Sequence, residues 1–179
     1  LFDSQAQALA HGVNCQGIMG KGIAKEFRSH YPDMYSQYRL ECLFERLRPG
    51  DVYTWCGDDK IIFNLATQDK PGPDATYKNV SDCLKKMRSL ANQLEIKSIS
   101  MPRISCGIGG PDWELVKEIV EDVFGDWEGE LSVYNNSRLN CKVHRPMVEF
   151  SPAKNRDKEN NTGNSRIEWR PETGQDRRY

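Results

Sequence analysis

Two glycine-rich stretches carry the residue types that suit anion binding. The first glycine loop, residues 17–24, has the sequence Gly-Ile-Met-Gly-Lys-Gly-Ile-Ala, and the second glycine loop, residues 105–110, has the sequence Ser-Cys-Gly-Ile-Gly-Gly. Each follows a short strand-like run and precedes a helix-like pattern, so each presents backbone N–H groups and a positive helix end to an anion. Two such loops predict a site for a diphosphate.

The glycine spacing excludes two common nucleotide-binding motifs. A phosphate loop of the triphosphatase kind needs Ser or Thr after its Gly-Lys, and here Gly22 follows Lys21. Neither loop has the three spaced glycines and the distant acidic residue of a dinucleotide fingerprint, which makes a dehydrogenase a poor fit. The remaining alternative is that the glycines only serve tight turns.

Strand and helix patterns alternate through the first 136 residues, which predicts a sheet between helices. Strands are predicted over 8–13, 51–55, 60–66, 98–101 and 131–134, and helices over 22–30, 34–45, 77–94 and 111–124. Ligands of such folds gather where strands end and loops lead into helices. Both glycine loops occupy such positions.

Composition and charge divide the chain into two parts. Residues 1–136 carry 15 Lys and Arg against 20 Asp and Glu, whereas residues 137–179 carry 10 against 6. We expect residues 1–136 to form one domain and residues 137–179 to be a basic, mostly disordered tail, since that part lacks large apolar residues in a regular pattern. The tail is either a solvated extension or a docking segment for RNA or acidic surfaces. The chain opens on Leu1 and not on Met, so we expect an upstream segment.

The cysteines and the apolar runs bear on location. The six cysteines have no close-spaced pair, which disfavours a zinc site or a disulfide framework and favours reduced thiols. No apolar run is long enough to span a bilayer. We therefore expect a protein of the cytoplasm or nucleus that binds no metal and has no membrane partner. We also expect it to be a monomer and to need no cofactor.

The two loops with their flanking residues resemble the macrodomain family. The resemblance rests on residues 10–24, Ala-His-Gly-Val-Asn-Cys-Gln-Gly-Ile-Met-Gly-Lys-Gly-Ile-Ala, and on residues 101–113, Met-Pro-Arg-Ile-Ser-Cys-Gly-Ile-Gly-Gly-Pro-Asp-Trp. The resemblance covers residue 1 to about residue 135. It is strongest to the branch of the family that contains terminal ADP-ribose glycohydrolases and ADP-ribose-1″-phosphate phosphatases. It implies an α/β fold, a three-layer α/β/α macrodomain with a central mixed sheet, that binds ADP-ribose.

The resemblance also implies a set of binding residues. The first loop would hold the distal ribose and the nearby phosphate, the second loop the diphosphate, and the end of the last strand the adenine. These residues are Gly20, Lys21, Gly22, Ile23, Ala24, Ser105, Cys106, Gly107, Ile108, Gly109, Gly110, Tyr134 and Asn135.

The catalytic residues of that branch are replaced here. The resemblance implies a catalytic lysine and aspartate where this chain has Gln68 and Gly109, and neither of these residues can perform lysine-mediated cleavage. The catalytic candidates that remain are His11, Asn14 and Asp69. His11 has the pKa range to activate water, and phosphatase-like members carry a histidine there, although a histidine in an apolar strand is more often a core residue. Asn14 suits ribose recognition or, alternatively, a turn.

Two classes of function are compatible with these residues. The first is a hydrolase that removes ADP-ribose from protein or nucleic acid, or removes the phosphate of ADP-ribose-1″-phosphate. The second is a non-catalytic reader of ADP-ribose, with nucleic acid as a second partner through the basic tail. ADP-ribose binding is common to both.

Overall fold

A six-stranded sheet forms the centre of the protein, and helices cover both of its faces. The computed structural model describes residues 1–135 and 166–171. The strands are β1 Ala8–Val13, β2 Val52–Cys56, β3 Ile61–Ala66, β4 Ser98–Pro102, β5 Glu130–Asn135 and β6 Arg166–Pro171, and the helices are α1 Gly22–His30, α2 Pro32–Leu43, α3 Tyr77–Gln93 and α4 Trp113–Phe124.

The strand order is β2-β3-β1-β4-β5-β6, and only the β2–β3 pair is antiparallel. The predicted three-layer α/β/α fold with a mixed sheet is confirmed.

Side-chain alternation along the central strands divides the core into two clusters. Ala8 and Ala10 of β1 face the cluster that contains the buried side chains of α3 and α4. Leu9 and Val13 face the opposite cluster, which α1 and α2 cover with Phe27 and other side chains. The strands between two helical layers are apolar on both faces, as expected for a mainly parallel sheet.

Three of the helices begin at residues that favour a helix start. Thr76 caps α3 by accepting from the Asn79 backbone N–H, and Asp112 caps α4 by accepting from that of Glu114. Pro32 occupies the first turn of α2, where its missing N–H costs nothing. The helix predicted from residue 34 therefore begins two residues earlier.

Strand β6 was not predicted, because residues 166–171 belong to the segment expected to be mostly disordered. It pairs in parallel with β5, and Ile167 packs against the α3–α4 core cluster. The Trp169 ring meets the Trp113 ring edge-on, with 5.7 Å between centroids. These contacts stabilise the strand. Residues 136–165 and 172–179 lie outside the described residues, so the expected disorder there stays a prediction.

The order of the strands gathers three loops at one edge of the sheet. Strands β3, β1 and β4 are neighbours and run parallel. The loop at residues 67–73 and the two glycine loops follow their carboxyl ends and therefore lie side by side. No helix in the described residues has the length and apolar character needed to cross a membrane.

Candidate functional site

A cavity of about 650 Å³ opens at this edge of the sheet. It is bounded by both glycine loops, by the loop after β3 and by the end of β5. The lining residues are Gly12, Val13, Asn14, Ile18, Gly20, Lys21, Gly22, Ile23, Ala24, Thr67, Gln68, Pro71, Gly72, Pro102, Arg103, Ile104, Ser105, Cys106, Gly107, Ile108, Gly109, Trp113 and Asn135.

The first glycine loop brings the start of α1 to the cavity wall. Lys21 precedes the helix in an extended conformation, with no side chain bonded to the first-turn N–H groups and no acidic residue in that turn. These N–H groups lack helical partners, and the helix dipole adds positive potential. Gly22 adopts φ +58°, a conformation that favours glycine, and a Cβ there would lie 3.5 Å from Ile108 Cδ1. This end of α1 is open to an anion.

Asn14 shapes the first glycine loop from inside. Its Oδ1 accepts from the backbone N–H groups of Gln16 and Ile18, at 2.9 and 3.2 Å, and its Nδ2 donates to the Ile18 carbonyl at 2.6 Å. The Tyr38 hydroxyl donates to the Asn14 backbone carbonyl at 2.6 Å and lies 3.2 Å from Oδ1. Asn14 lines the cavity, but these bonds make it the turn residue that was the alternative to a catalytic or sugar-binding side chain.

The second glycine loop has a backbone that tolerates little change. Ser105 adopts φ +60°, and its hydroxyl donates to Thr67 Oγ1 at 2.8 Å, which joins this loop to the end of β3. A Cβ on Gly109 would lie 2.7 Å from the Ser105 carbonyl oxygen. Any side chain at residue 109 therefore displaces the loop, and the aspartate that the resemblance places there does not fit this backbone.

The helix that follows the second glycine loop does not present a free N-terminus, contrary to the sequence expectation. Asp112 Oδ1 already accepts from the Glu114 backbone N–H at 2.8 Å. A carboxylate at this position neutralises the positive end of α4. Anion binding by the second loop rests on its own backbone N–H groups and on neighbouring cations.

The charges that line the cavity are positive. Lys21 and Arg103 are its cationic residues, and no carboxylate or histidine of the described chain lines it. The Arg103 guanidinium lies over the Trp113 ring, 4.9 Å from the centroid, and Trp113 in turn contacts Trp169. Stacking leaves the guanidinium donors available to a ligand. Sequence reasoning missed Arg103 and Trp113 as site residues, although both lie within the motif that carried the resemblance.

His11 does not line the cavity, and its position does not support the catalytic role expected of it. It points to the α1 side of the sheet with 0% exposure, and its ring stacks on Phe27 with 3.8 Å between centroids. Its Nε2 donates to Asn64 Oδ1 at 2.9 Å, an orientation fixed because Asn64 Nδ2 donates to the Tyr53 carbonyl. Burial lowers the pKa of His11 to about 3. His11 is a neutral core residue.

Asp69 and Cys106 also lack the setting for catalysis. Asp69 lines a separate cavity of about 730 Å³ beside α2, where its carboxylate accepts from Gln16 Nε2 at 3.4 Å. This position does not support the catalytic role expected of Asp69, which stays a prediction. Cys106 lines the first cavity, but burial raises the pKa of its thiol to about 12, so the nucleophilic thiolate is absent at neutral pH.

Most predicted binding residues meet at the first cavity. The exceptions are Gly110, where an added Cβ would lie 3.3 Å from Pro73 Cβ, and Tyr134, whose carbonyl accepts from the Arg103 backbone N–H at 3.3 Å. Gln68 lies at the cavity wall, as expected for a residue that follows β3. In the described part of the chain, no group of three His, Cys, Asp or Glu side chains could hold a metal ion.

Comparisons with known proteins agree with this architecture. The family model described as Macro domain matches residues 10–120. A DNA ADP-ribosyl glycohydrolase of Thermus aquaticus is 29% identical over 149 residues, which are 80% of this chain and 41% of that protein. The ADP-ribose glycohydrolase OARD1 of Bos taurus is 30% identical over 130 residues, which are 73% of this chain and 82% of that protein.

A solved structure has the same fold over most of its length. The macrodomain of Mycobacterium tuberculosis DarG superimposes with a TM-score of 0.70 at 28% identity, covering 75% of this chain and 92% of that one. The chain thus spans about two fifths of the Thermus aquaticus glycohydrolase and most of an isolated solved domain.

Proposed function

This chain belongs to the macro domain family, and from that premise we propose that its first cavity binds ADP-ribose and that the protein hydrolyses an ADP-ribose derivative. One observation carries the binding proposal. The cavity combines a helix end without a side-chain cap, a glycine backbone loop and two cations, with no described carboxylate in its lining. Such a lining complements a diphosphate anion joined to uncharged sugars.

The ligand has one orientation that matches these features. The diphosphate lies against the second glycine loop and Arg103, where backbone N–H groups and a guanidinium donate to phosphate oxygens. The distal ribose and its neighbouring phosphate lie at Gly20–Ala24, where the glycines let a sugar approach the backbone closely and the uncapped end of α1 faces the phosphate. The adenine lies toward Asn135 and Trp113 at the other end of the cavity.

Hydrolysis is proposed because the two relatives described above are named as glycohydrolases acting on ADP-ribose linkages. The lining offers no carboxylic acid or histidine to protonate a departing group. A group that departs as a stable anion needs no such proton. This favours an ADP-ribosyl ester of an acidic side chain, or ADP-ribose-1″-phosphate cleaved at its C1″–O bond with phosphate departing, over a linkage to nucleic acid.

A second candidate function is a reader that binds ADP-ribose without cleaving it. The same observation favours it, because no described side chain in the cavity can act as a general acid or base near neutral pH. Gln68 and Gly109 stand where glycohydrolases of the resembling branch carry their lysine and aspartate. Both candidates require ADP-ribose binding and differ only in turnover.

Turnover assays separate the two functions. The protein is incubated with a peptide carrying an ADP-ribosyl glutamate ester, with ADP-ribosylated DNA and with ADP-ribose-1″-phosphate, and released product is measured. The matched control is Gly22→Val, in which a β-branched residue at φ +58° narrows the binding loop. Release above the control, faster from the ester or the 1″-phosphate than from DNA, supports hydrolysis, whereas measurable ADP-ribose binding with no release from any substrate assigns the reader function.

Arg103 gives a prediction for binding itself. Arg103→Ala removes the guanidinium that faces the diphosphate, and we expect ADP-ribose affinity to fall about tenfold, the effect of one charge-assisted hydrogen bond. Calorimetry measures the dissociation constant at low and high salt. Lys85→Ala, an exposed lysine of α3 away from the cavity, is the matched control. Equal loss in both variants would mean that general charge, and not Arg103, attracts the ligand.

Three further expectations stay proposals. We propose that the protein acts as a monomer, that its basic tail adds affinity for nucleic acid, and that it resides in a reducing cytoplasm or nucleus. The five described cysteines are free thiols, which supports the last of these. Sizing chromatography, salt-dependent binding to RNA and microscopy of the tagged protein test them in turn.

A further inference from the structure

Gln68 has a side chain whose orientation is fixed by the loop that follows it. Its Nε2 donates to the Lys70 carbonyl at 2.6 Å and to the Gly72 carbonyl at 3.2 Å. Two carbonyl acceptors determine which end of the amide is nitrogen. In the described part of the chain no group donates to Oε1. Because Gln68 lines the cavity, Oε1 is its atom available to a ligand or a water molecule there.

The loop that holds Gln68 is itself well anchored. Asp74 Oδ2 accepts from the backbone N–H groups of Asp69 and Lys70, each at 2.9 Å, and the Asp74 N–H donates to the Gly72 carbonyl at 3.0 Å. The two carbonyls that orient the amide therefore belong to a closed hydrogen-bonded turn. Such a turn reduces the reorganisation needed when a reactant binds.

Gln68 also lies at the end of the cavity that we assign to the distal ribose. Ala66 pairs with Val13 at the ends of β3 and β1, so Gln68 lies beside the segment that leads into the first glycine loop. Asn135 follows β5, which is separated from β3 by β1 and β4. The acceptor oxygen of Asn14 is occupied by two backbone N–H donors. Gln68 Oε1 is thus the unoccupied side-chain amide oxygen at this end of the described cavity.

We propose that Gln68 orients the water molecule that hydrolyses the ADP-ribosyl bond, an inference that rests on the hydrolytic function proposed above. Oε1 accepts one hydrogen bond from the water and directs its oxygen toward C1″ of the distal ribose. Glutamine orients attacking water in the same way in nucleotide hydrolysis, without keeping the proton.

The step balances without a further reactant. The water oxygen forms a bond to C1″ while the bond from C1″ to the ester oxygen breaks, and the departing carboxylate keeps the bonding electron pair. The water gives up one proton, which passes to the carboxylate or to solvent. The products are ADP-ribose and the free acidic side chain. Because an amide oxygen is a weak base, the proposal requires a leaving group that departs as an anion.

Substitutions of Gln68 in the full chain test this role on the peptide ester. For Gln68→Ala we expect kcat to fall about 100-fold while the dissociation constant of ADP-ribose changes less than about twofold, since the lost bond forms to the attacking water only. Gln93→Ala removes an exposed glutamine at the end of α3 and is the matched control, with unchanged kcat. Gln68→Asn retains the amide but shortens it, and we expect it to resemble Gln68→Ala.

The pH profile of Gln68→Glu separates orientation of water from support of the loop. The protonated carboxyl has the shape of the amide, but the ionised form cannot donate to the Lys70 and Gly72 carbonyls. We expect kcat of this variant to acquire a titration step that the wild type lacks, with a fall in kcat across that step much larger than the fall in ADP-ribose affinity that the new negative charge causes.

Two outcomes would overturn the role of Gln68 while leaving hydrolysis intact. One is an active wild type with unchanged kcat in Gln68→Ala, and the other is a loss of kcat that only follows a proportional loss of affinity. A wild type that binds ADP-ribose but cleaves none of the substrates would instead reject the hydrolytic function, and the inference with it.

Discussion

Replacing Gly109 with alanine is expected to weaken ADP-ribose binding about 100-fold, or about 2.7 kcal/mol. The added Cβ would lie 2.7 Å from the Ser105 carbonyl oxygen and 3.2 Å from Ser105 Cα. Backbone atoms cannot rotate away as a side chain does, so the second glycine loop must move. Calorimetry of ADP-ribose binding measures the loss.

The control is Gln93→Ala, an exposed residue at the end of α3 that does not line the cavity. We expect this variant to keep wild-type affinity for ADP-ribose. Thermal unfolding of both variants shows whether the fold persists. Wild-type affinity in Gly109→Ala would mean that the shape of the second loop does not determine binding.

Lowering the pH from 6.5 to 4.5 is expected to remove about 2 kcal/mol of stability through His11 alone, because the loss approaches about 1.36 kcal/mol per pH unit only below the pKa of the unfolded chain. The pKa of His11 is about 3 in the folded protein and 6.5 in the unfolded chain. Between these values the unfolded chain binds one proton more than the folded protein. Stability from this residue is therefore complete above pH 6.5 and declines as the pH falls toward 3.

Denaturant unfolding at several pH values measures this slope, and a variant isolates the contribution of His11. His11→Gln keeps an amide donor for Asn64 Oδ1 but does not titrate. We expect its stability to depend less steeply on pH than that of the wild type in this interval. Equal slopes would show that the pKa of His11 is the same in the folded protein and in the unfolded chain. That result would contradict the burial of His11 and restore it as a catalytic candidate.

Periodicity was sufficient to predict the parts of the fold built by local apolar patterns. The predicted strand over residues 8–13 and helix over residues 22–30 match β1 and α1 to the residue. Strand β6 escaped prediction because it lies within a polar segment, where composition outweighs a short pattern. The alternation of Ile167 and Trp169 with Glu168 and Arg170 was the available signal. It matches a strand that is covered on one face.

The position of the site was more predictable than its chemistry. Both glycine loops line the cavity because each follows a strand of the sheet's parallel part, which the order of elements indicates. His11 shares its strand face with Leu9 and Val13, so the same alternation could have indicated a buried ring. The roles of Asn14 and Asp69 depend on hydrogen bonds within loops, whose geometry no periodic pattern specifies.

The conformation of the second loop also lay beyond sequence reasoning. Glycine at residue 109 could be a lost catalytic aspartate or a steric requirement, and only the 2.7 Å distance to the Ser105 carbonyl indicates the second. The capping of α4 by Asp112 likewise depends on a side-chain rotamer. Because Asp112 caps α4 and no side chain caps α1, only the first glycine loop offers an uncapped helix end to an anion.

A crystal structure of the full chain with ADP-ribose is the decisive test of the proposed binding site. We expect ligand density in the first cavity, with the diphosphate on the second glycine loop and Arg103, and the distal ribose between Gly20–Ala24 and Gln68. Ligand bound in the cavity beside α2, or a first cavity that stays empty at saturating ADP-ribose, would contradict the proposal.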